Sequence, residues 1–250
     1  PTDAFGKPGD DTITQLAESR RGVLREQVAE TKLRARGKPV YYTEWSTSSN
    51  PFDDLHDLPY AAATITKTVL EARGSVSAYS YWTFSDIFEE NYFSSVPFHG
   101  GFGLMNIYGI PKPAYRAYQL IHQLGSELLP LKDAHPKVDA WLTRDGTTLK
   151  LLLTQSTLPR HPVKTEILRI SLSGLSDIKA AYVERIDEDH ANARAAWEKI
   201  GAPGSLSPRE VEALETASAL VKEPLDIELL DGQAIVEISV PPQGTACITL

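Results

Sequence analysis

The sequence predicts an α/β segment that gives way to an all-β one. Three observations carry this reading. Apolar runs at helical spacing alternate with short aromatic strands up to about residue 128, short β-rich runs separated by turn residues follow, and a polar helical stretch at about 188–221 interrupts them. The expected division is 1–128 for the α/β part and 129–250 for an antiparallel β-sandwich that holds the helical insertion.

The first element is one long helix. Asp10, Asp11 and Thr12 are its candidate caps, Ile13, Leu16, Ala17, Val23, Leu24, Val28 and Leu33 fall at helical spacing, and Gly37 with Pro39 ends it. A strand follows through Val40-Tyr41-Tyr42-Thr43-Glu44. A second helix opens near Pro59, turns Ala62, Ile65, Val69 and Leu70 inward, and stops at Gly74. The next strand, 76–84, is aromatic and β-branched, and a third helix covers about 114–124 after the Pro111-Lys112-Pro113 stop. Strand–helix alternation with short connections belongs to a parallel sheet or barrel. Only two such units are present, whereas a closed eight-stranded barrel needs about 250 residues by itself. A barrel therefore requires further chain.

Past residue 129, strands are expected at 138–143, 148–154, 165–171, 180–186, 225–230, 234–240 and 246–250. Arg144-Asp145-Gly146, Ser173-Gly174-Leu175-Ser176 and Asp231-Gly232 mark turns between them. Helices are expected at 188–199 and 207–221, the second opening on the capping-box form Ser207-Pro208-Arg209-Glu210.

Composition narrows the function. With 42% apolar and 23% charged residues the chain has ordinary globular composition, which excludes disordered and collagen-like classes. A net charge of -8 without a basic block argues against a nucleic-acid partner. No apolar run is long enough to span a bilayer. Cys247 is the sole cysteine, so no intrachain disulfide can form. The stretch from Pro1 to Asp10 lacks an initiator Met and a signal-peptide pattern and reads as a loop already under way, so the chain is expected to begin in mid-protein.

The residues that could do chemistry gather at two strand ends. Glu44 ends the first strand, and Trp82, Asp86, Glu89 and Glu90 lie on or just past the second. Carboxylates framed by aromatic rings suit a sugar, whose C–H face stacks on an indole while its hydroxyls meet the acids. Glu44 is the candidate nucleophile; the alternative is a solvated strand end. Glu89 and Glu90 are adjacent, so extended backbone would turn them to opposite faces, as sugar ligands or as an exposed acidic loop. Trp82 is a stacking platform or a core residue. Asp53-Asp54-Leu55-His56-Asp57 has metal-ligand types without metal-ligand spacing, and Asp57 reads as a residue that complements a helix start. Neither a metal nor a cofactor is expected. His99 could face the site, its neighbouring glycines serve a tight backbone path, and His135, His161 and His190 read as isolated surface residues. No Gly-x-Ser-x-Gly elbow supports a serine hydrolase.

Four ordered motifs, Val40-Tyr41-Tyr42-Thr43-Glu44-Trp45, Tyr81-Trp82-Thr83-Phe84-Ser85-Asp86-Ile87-Phe88-Glu89-Glu90, Phe98-His99-Gly100-Gly101-Phe102-Gly103-Leu104 and Ile110-Pro111-Lys112-Pro113, resemble glycoside hydrolase family 39. That family holds β-xylosidases and α-L-iduronidases among the retaining (β/α)8-barrel glycosidases. The resemblance is strong over about 1–130 and looser over the sandwich, where Arg185-Ile186-Asp187-Glu188-Asp189-His190 carries it. It implies the C-terminal part of a (β/α)8 TIM barrel followed by the β-sandwich. It also implies Glu44 as nucleophile on the seventh strand, Trp82 on the eighth as the aromatic wall, and Glu89 and Glu90 as the pair that contacts hydroxyls. The family's acid/base, in an Asn-Glu pair, has no counterpart here, so it is expected on an N-terminal half of the barrel absent from this chain.

The implied function is a retaining exo-glycoside hydrolase, a β-xylosidase first, with a xylose-type glycoside and the N-terminal half as its partners. This polypeptide alone is expected to be close to inactive. Two readings stand beside it: a non-catalytic carbohydrate-binding or structural fragment, and an α-L-iduronidase-like specificity. Uronate recognition wants a cation, and the loops 44–50 and 81–99 contain no Lys or Arg, which favours a neutral sugar.

Overall fold

The computed structural model describes residues 12–87, 94–174, 181–230 and 233–250. The caps Asp10 and Asp11, the pair Glu89 and Glu90, Leu175 and Ser176 of one turn, Ala180 and the Asp231-Gly232 turn lie outside the described residues.

The expected first helix is two, α1 (Thr12–Glu18) and α2 (Val23–Arg34). Gly22 breaks it with φ 86°, a left-handed conformation that costs glycine nothing. The break lets Arg21 reach away from the helix axis, where it donates to Ser156 O at 3.0 Å and pairs with Asp139. Besides buried Val23 and Val28 and the partly buried Leu24, α2 is held by polar ties: Tyr42 Oη donates to Thr31 Oγ1 at 3.0 Å and Lys32 Nζ to Gly74 O at 2.6 Å.

β1 (Tyr41–Trp45), α3 (Pro59–Ala72) and β2 (Ala78–Tyr81) form one βαβ unit with its strands in parallel. β2 is shorter than the 76–84 expected, because residues past Tyr81 turn to bond the returning arm of their own loop: Thr83 N to Phe102 O at 3.1 Å and Leu104 N to Thr83 O at 2.9 Å. α4 (Pro113–His122) lies against α3. Ala61, Ala62, Ala114 and Ala117 all have no exposed surface, and side chains this small let the two helix backbones approach closely.

The all-β part has two antiparallel sheets. The larger runs in the order β3 (Glu127–Leu129), β4 (Asp139–Asp145), β5 (Thr148–Thr154), β11 (Thr245–Thr249), β7 (Tyr182–Ile186), β8 (Glu223–Pro224). The smaller is β6 (Glu166–Ser173), β10 (Gln233–Val240), β9 (Glu228–Leu230). β3 and β8 were not expected; three- and two-residue strands carry too little periodicity to read. Gly146, φ 57°, begins the two-residue turn between β4 and β5.

Strand alternation explains how the layers join. Leu151, Leu153, Val183 and Ile248 face Leu172, Val236, Ile238 and Val240 of the smaller sheet. Their neighbours Leu152, Ile186 and Cys247 point the other way, into a cluster with Trp45, Ala62, Ile65 and Leu120. The larger sheet is therefore buried on both faces at its centre, and the α/β part is its second covering layer.

The helical insertion between β7 and β8 is α5 (Ala193–Lys199) and α6 (Pro208–Ser218). Residues 188–192 are not helical as expected: Asp187 Oδ1 accepts from Asp189 N at 3.0 Å and His190 N at 3.1 Å, which satisfies those donors in a turn. Asn192 caps α5 instead, and Ser207 with Glu210 forms the capping box of α6. No helix among the described residues is long and apolar enough to cross a membrane.

Leu152 has no exposed surface and seats the sheet on the helices. Leu152→Ala is expected to lower stability by about 2–5 kcal/mol in urea unfolding. Burial pushes the Cys247 thiol up to about 12. In the native protein it should resist iodoacetamide at mildly alkaline pH and take one label per chain on unfolding, followed by mass.

Candidate active site

Parallel pairing brings Glu44 and Trp82 to the ends of neighbouring strands. The register pairs Tyr42 with Tyr79 and Trp45 with Tyr81, so β1 spends one residue more than β2 over this step. That bulge breaks the alternation: Thr43 and Glu44 are both exposed, and Trp45 returns to the interior. Trp45 is locked there, stacked on Tyr79 with ring centres 4.6 Å apart and edge-on to Tyr81 at 5.5 Å. Trp82 N donates to Trp45 O at 2.8 Å. The exposed Glu44 and the half-buried Trp82 thus leave neighbouring strand ends, Trp82 tied by its N–H to the residue after Glu44, on a base made rigid by aromatic packing. The Trp82–Thr83 peptide is cis.

The loop after β1 is held by a buried polar cluster. Ser48 Oγ donates to Asp53 Oδ2 at 2.6 Å and lies 3.1 Å from His56 Nε2, while His56 Nδ1 meets Gly100 O at 2.9 Å. Burial lowers the His56 pKa, against the pull of the Asp53 carboxylate. Ser, His and Asp do meet here, but serine sits between the other two and is 3% exposed, so it has neither an activating base relay nor access to a substrate.

A second buried cluster ties this loop to the one after β2. Lys112 has no exposed surface, and its Nζ lies 2.6 Å from Asp57 Oδ1, 2.7 Å from Asp86 Oδ2 and 2.9 Å from Gly101 O. Asp57 Oδ2 accepts from Gly100 N and Asp86 Oδ1 from Gly103 N, each at 2.7 Å. Burial would lower the Lys112 pKa, but Asp57 and Asp86 outweigh it and hold the ammonium above its ordinary value. Burial raises the Asp86 pKa, opposed by Lys112. Asp57 stands two residues before Pro59, as expected of a residue at a helix start, but its carboxylate oxygens go to Gly100 N and Lys112, and the N-cap of α3 is Leu58. Asp53 caps the short 3-10 helix Asp54–Asp57, accepting from Leu55 N at 3.1 Å, and Asp57 is the counter-ion of a lysine distant in sequence. Asp86 likewise points into the core and not toward sugar. The structure brings together Glu44 and Trp82 only, since Glu89 and Glu90 lie outside the described residues.

The role of Lys112 was missed in sequence. Its only signal was a lysine clamped between two prolines, where a solvated charge has no need of a fixed backbone.

The expected isolated histidines have partners. His190 sits between Asp187 at 2.6 Å and Glu223 at 3.3 Å, His161 Nε2 meets Ala17 O at 2.8 Å, and His135 Nδ1 accepts from Val138 N at 3.2 Å. His99 Nδ1 is taken by Val96 O at 3.1 Å. Among the described residues no group of histidines, cysteines and carboxylates could hold a metal.

The insertion supports the same loop. Trp197 of α5 packs on Phe98 with ring centres 5.5 Å apart, Leu214 of α6 and Ile110 complete that cluster, and Arg194 Nη1 approaches Asp57 Oδ2 at 3.5 Å.

What this arrangement offers, among the described residues, is the accessible Glu44 carboxylate and the Trp82 indole at the open end of a parallel pair. A pyranose stacked on Trp82 would present its anomeric carbon toward a strand-end acid. Among the described residues Asp53, Asp57 and Asp86 are at most 4% exposed and engaged within the protein, whereas Asp54 is exposed and turned to Arg194.

Residues 8–228 match the family model for glycosyl hydrolases family 39. A β-xylosidase from Caldicellulosiruptor saccharolyticus is 38% identical over 254 residues, covering all of this chain and 52% of the relative. Among solved structures, the family 39 enzyme from Xanthomonas axonopodis pv. citri superposes with a TM-score of 0.76 at 27% identity, covering 93% of this chain and 49% of that one. A monomeric β-xylosidase from Caulobacter crescentus gives 0.73 at 28%, covering 91% and 49%. The chain spans about half the length of the curated β-xylosidase it matches.

Gly103 closes the base of the loop after β2. A Cβ there would lie 2.3 Å from Asp86 N and 2.5 Å from Met105 O, both backbone atoms that cannot yield cheaply. Gly103→Ala is expected to cost at least about 1–3 kcal/mol, read as a lower urea midpoint.

Proposed function

From the premise that this chain belongs to glycosyl hydrolase family 39, we propose that it carries the nucleophile half of a retaining exo-glycosidase acting on β-xylosides. The observation that carries this is the placement of Glu44 and Trp82 at adjacent parallel strand ends, the acid exposed by a bulge and the indole half-buried beside it. A β/α unit followed by a sheet domain is consistent with part of a TIM barrel, and in such barrels the strand C-termini form the catalytic face.

In this reading Glu44 attacks the anomeric carbon, the leaving oxygen takes a proton from a second carboxylic acid, and water then hydrolyses the glycosyl ester. The second acid belongs to polypeptide beyond these 250 residues, as does the rest of the barrel. General-acid assistance is worth about 10²–10⁴-fold, so these residues alone would turn over slowly at best. Glu89 and Glu90, by resemblance, hold sugar hydroxyls. The neutral sugar is favoured over a uronate because Lys112, the cation buried at the loops' base, has no exposed surface and is committed to two aspartates.

The test is intact-mass spectrometry before and after exposure to an activated 2-deoxy-2-fluoro xyloside, on the chain joined to the remainder of the barrel. One adduct per molecule, mapping to Glu44 and absent in Glu44→Gln, is expected, together with background activity of Glu44→Gln on aryl β-xylosides. An unlabelled protein that still binds xylose, with Glu44→Gln binding equally well, would favour the non-catalytic fragment instead.

A further inference from the structure

Lys112 joins the two loops that leave the proposed catalytic strands, and we infer that it is a positioning residue for the Glu44–Trp82 pair. The inference rests on the glycosidase reading above. The loop leaving β1 just past Glu44 ends in the 3-10 helix Asp54–Asp57, and its last carboxylate meets the ammonium at 2.6 Å. The chain leaving β2 through Trp82 reaches Asp86 four residues later, 2.7 Å from the same nitrogen. The returning arm of that second loop contributes Gly101 O at 2.9 Å. An ammonium has three protons, and three oxygens from three segments face this one.

The joint is rigid for a sequence reason. Lys112 stands between Pro111 and Pro113 at the N-terminal end of α4, and its N–H donates to Leu104 O at 2.9 Å, so the stem starts from a fixed point. With Lys112 and Asp57 unexposed and Asp86 4% exposed, water cannot stand in for the ammonium, and the separation of the loops is set by these contacts. The other cation facing the cluster is Arg194, 3.5 Å from Asp57 and 3.7 Å from Asp54. Those two partners lie on the β1 side and its third, Glu198 at 2.7 Å, on α5, so it does not bridge to Asp86. His56 is on that side too, bonded to Gly100 O. Removing the ammonium leaves two carboxylates that repel each other and must each find water, which moves both loops apart. Lys112 touches no reacting atom; it acts through where Glu44 and Trp82 are held, and a displacement of about 1 Å can cost on the order of 10²-fold in rate.

The experiment uses this chain together with the remainder of the barrel, with an aryl β-xyloside as substrate and active sites counted by the fluoro-xyloside adduct. In Lys112→Met, kcat per counted site is expected to fall about 10–100-fold with KM within about threefold of the parent. Asp86→Asn keeps an oxygen near the ammonium and loses the charge, and a smaller fall in the same direction is expected. A residue with only a structural role would lower the number of active sites and leave kcat per site at the parental value; that result in the folded variants overturns the inference. Should Lys112→Met fail to fold, Asp86→Asn decides by the same criterion. A parent that is neither trapped nor active sinks the glycosidase reading and this inference with it, an outcome distinct from an active parent matched by its variants.

Discussion

A lysine with no exposed surface has to bring its counter-ions into the core with it, and in this protein the counter-ions come from two different loops. Burying a charge is tolerable only when it is paired and hydrogen-bonded, and stripping one partner from such a set typically costs about 3–5 kcal/mol. Asp57 and Asp86 meet Lys112 within 2.7 Å, and each also holds a glycine amide of the returning arm, Gly100 or Gly103. The cluster is therefore more than a salt bridge. It ties Asp57, Asp86 and the returning arm at Gly100–Gly103 to one point, and the glycines are glycines because a Cβ at Gly100 or Gly103 would fall within 3 Å of backbone atoms.

Above that cluster the strand ends do their part with little help. The bulge in β1 turns Glu44 outward while Trp45, one residue on, is clamped by Tyr79 and Tyr81. Below it, the larger sheet gives the helices a floor of Leu152, Ile186 and Cys247. Mobility is removed at both ends of the short β1–β2 pair, which by itself is too small to be stable.

Much of this was legible in the sequence, and the reasons for the rest are specific. β5 was read at its observed bounds because Thr148–Thr154 is a β-rich run closed by turn residues. The capping box at Ser207 was equally plain, since it is a local motif satisfied by local atoms. The α1–α2 break was hidden because Gly22 sits within an unbroken helical period; what favours the turn is Arg21 finding Ser156 and Asp139, contacts more than a hundred residues away. Asp57 and Lys112 were hidden for the same reason. Periodicity reports which side of an element is apolar, and a buried ion pair between distant segments leaves no period. Glu44 and Trp82 stood out in sequence because their surroundings, aromatic strands that break into polar loops, are themselves local.

The insertion between β7 and β8 belongs by chain order to the sheets, yet Trp197 and Leu214 rest on Phe98 and Ile110 of the loop after β2. Sequence neighbourhood and mechanical neighbourhood therefore diverge. Anyone wishing to trim the molecule near residue 128, or to graft its α/β portion onto a relative's sheets, would remove the prop from beneath the loop that follows β2 while leaving every residue of that loop in place. For recombination between family members, α5 and α6 travel with the loop they support, and the unit of exchange is discontinuous along the chain.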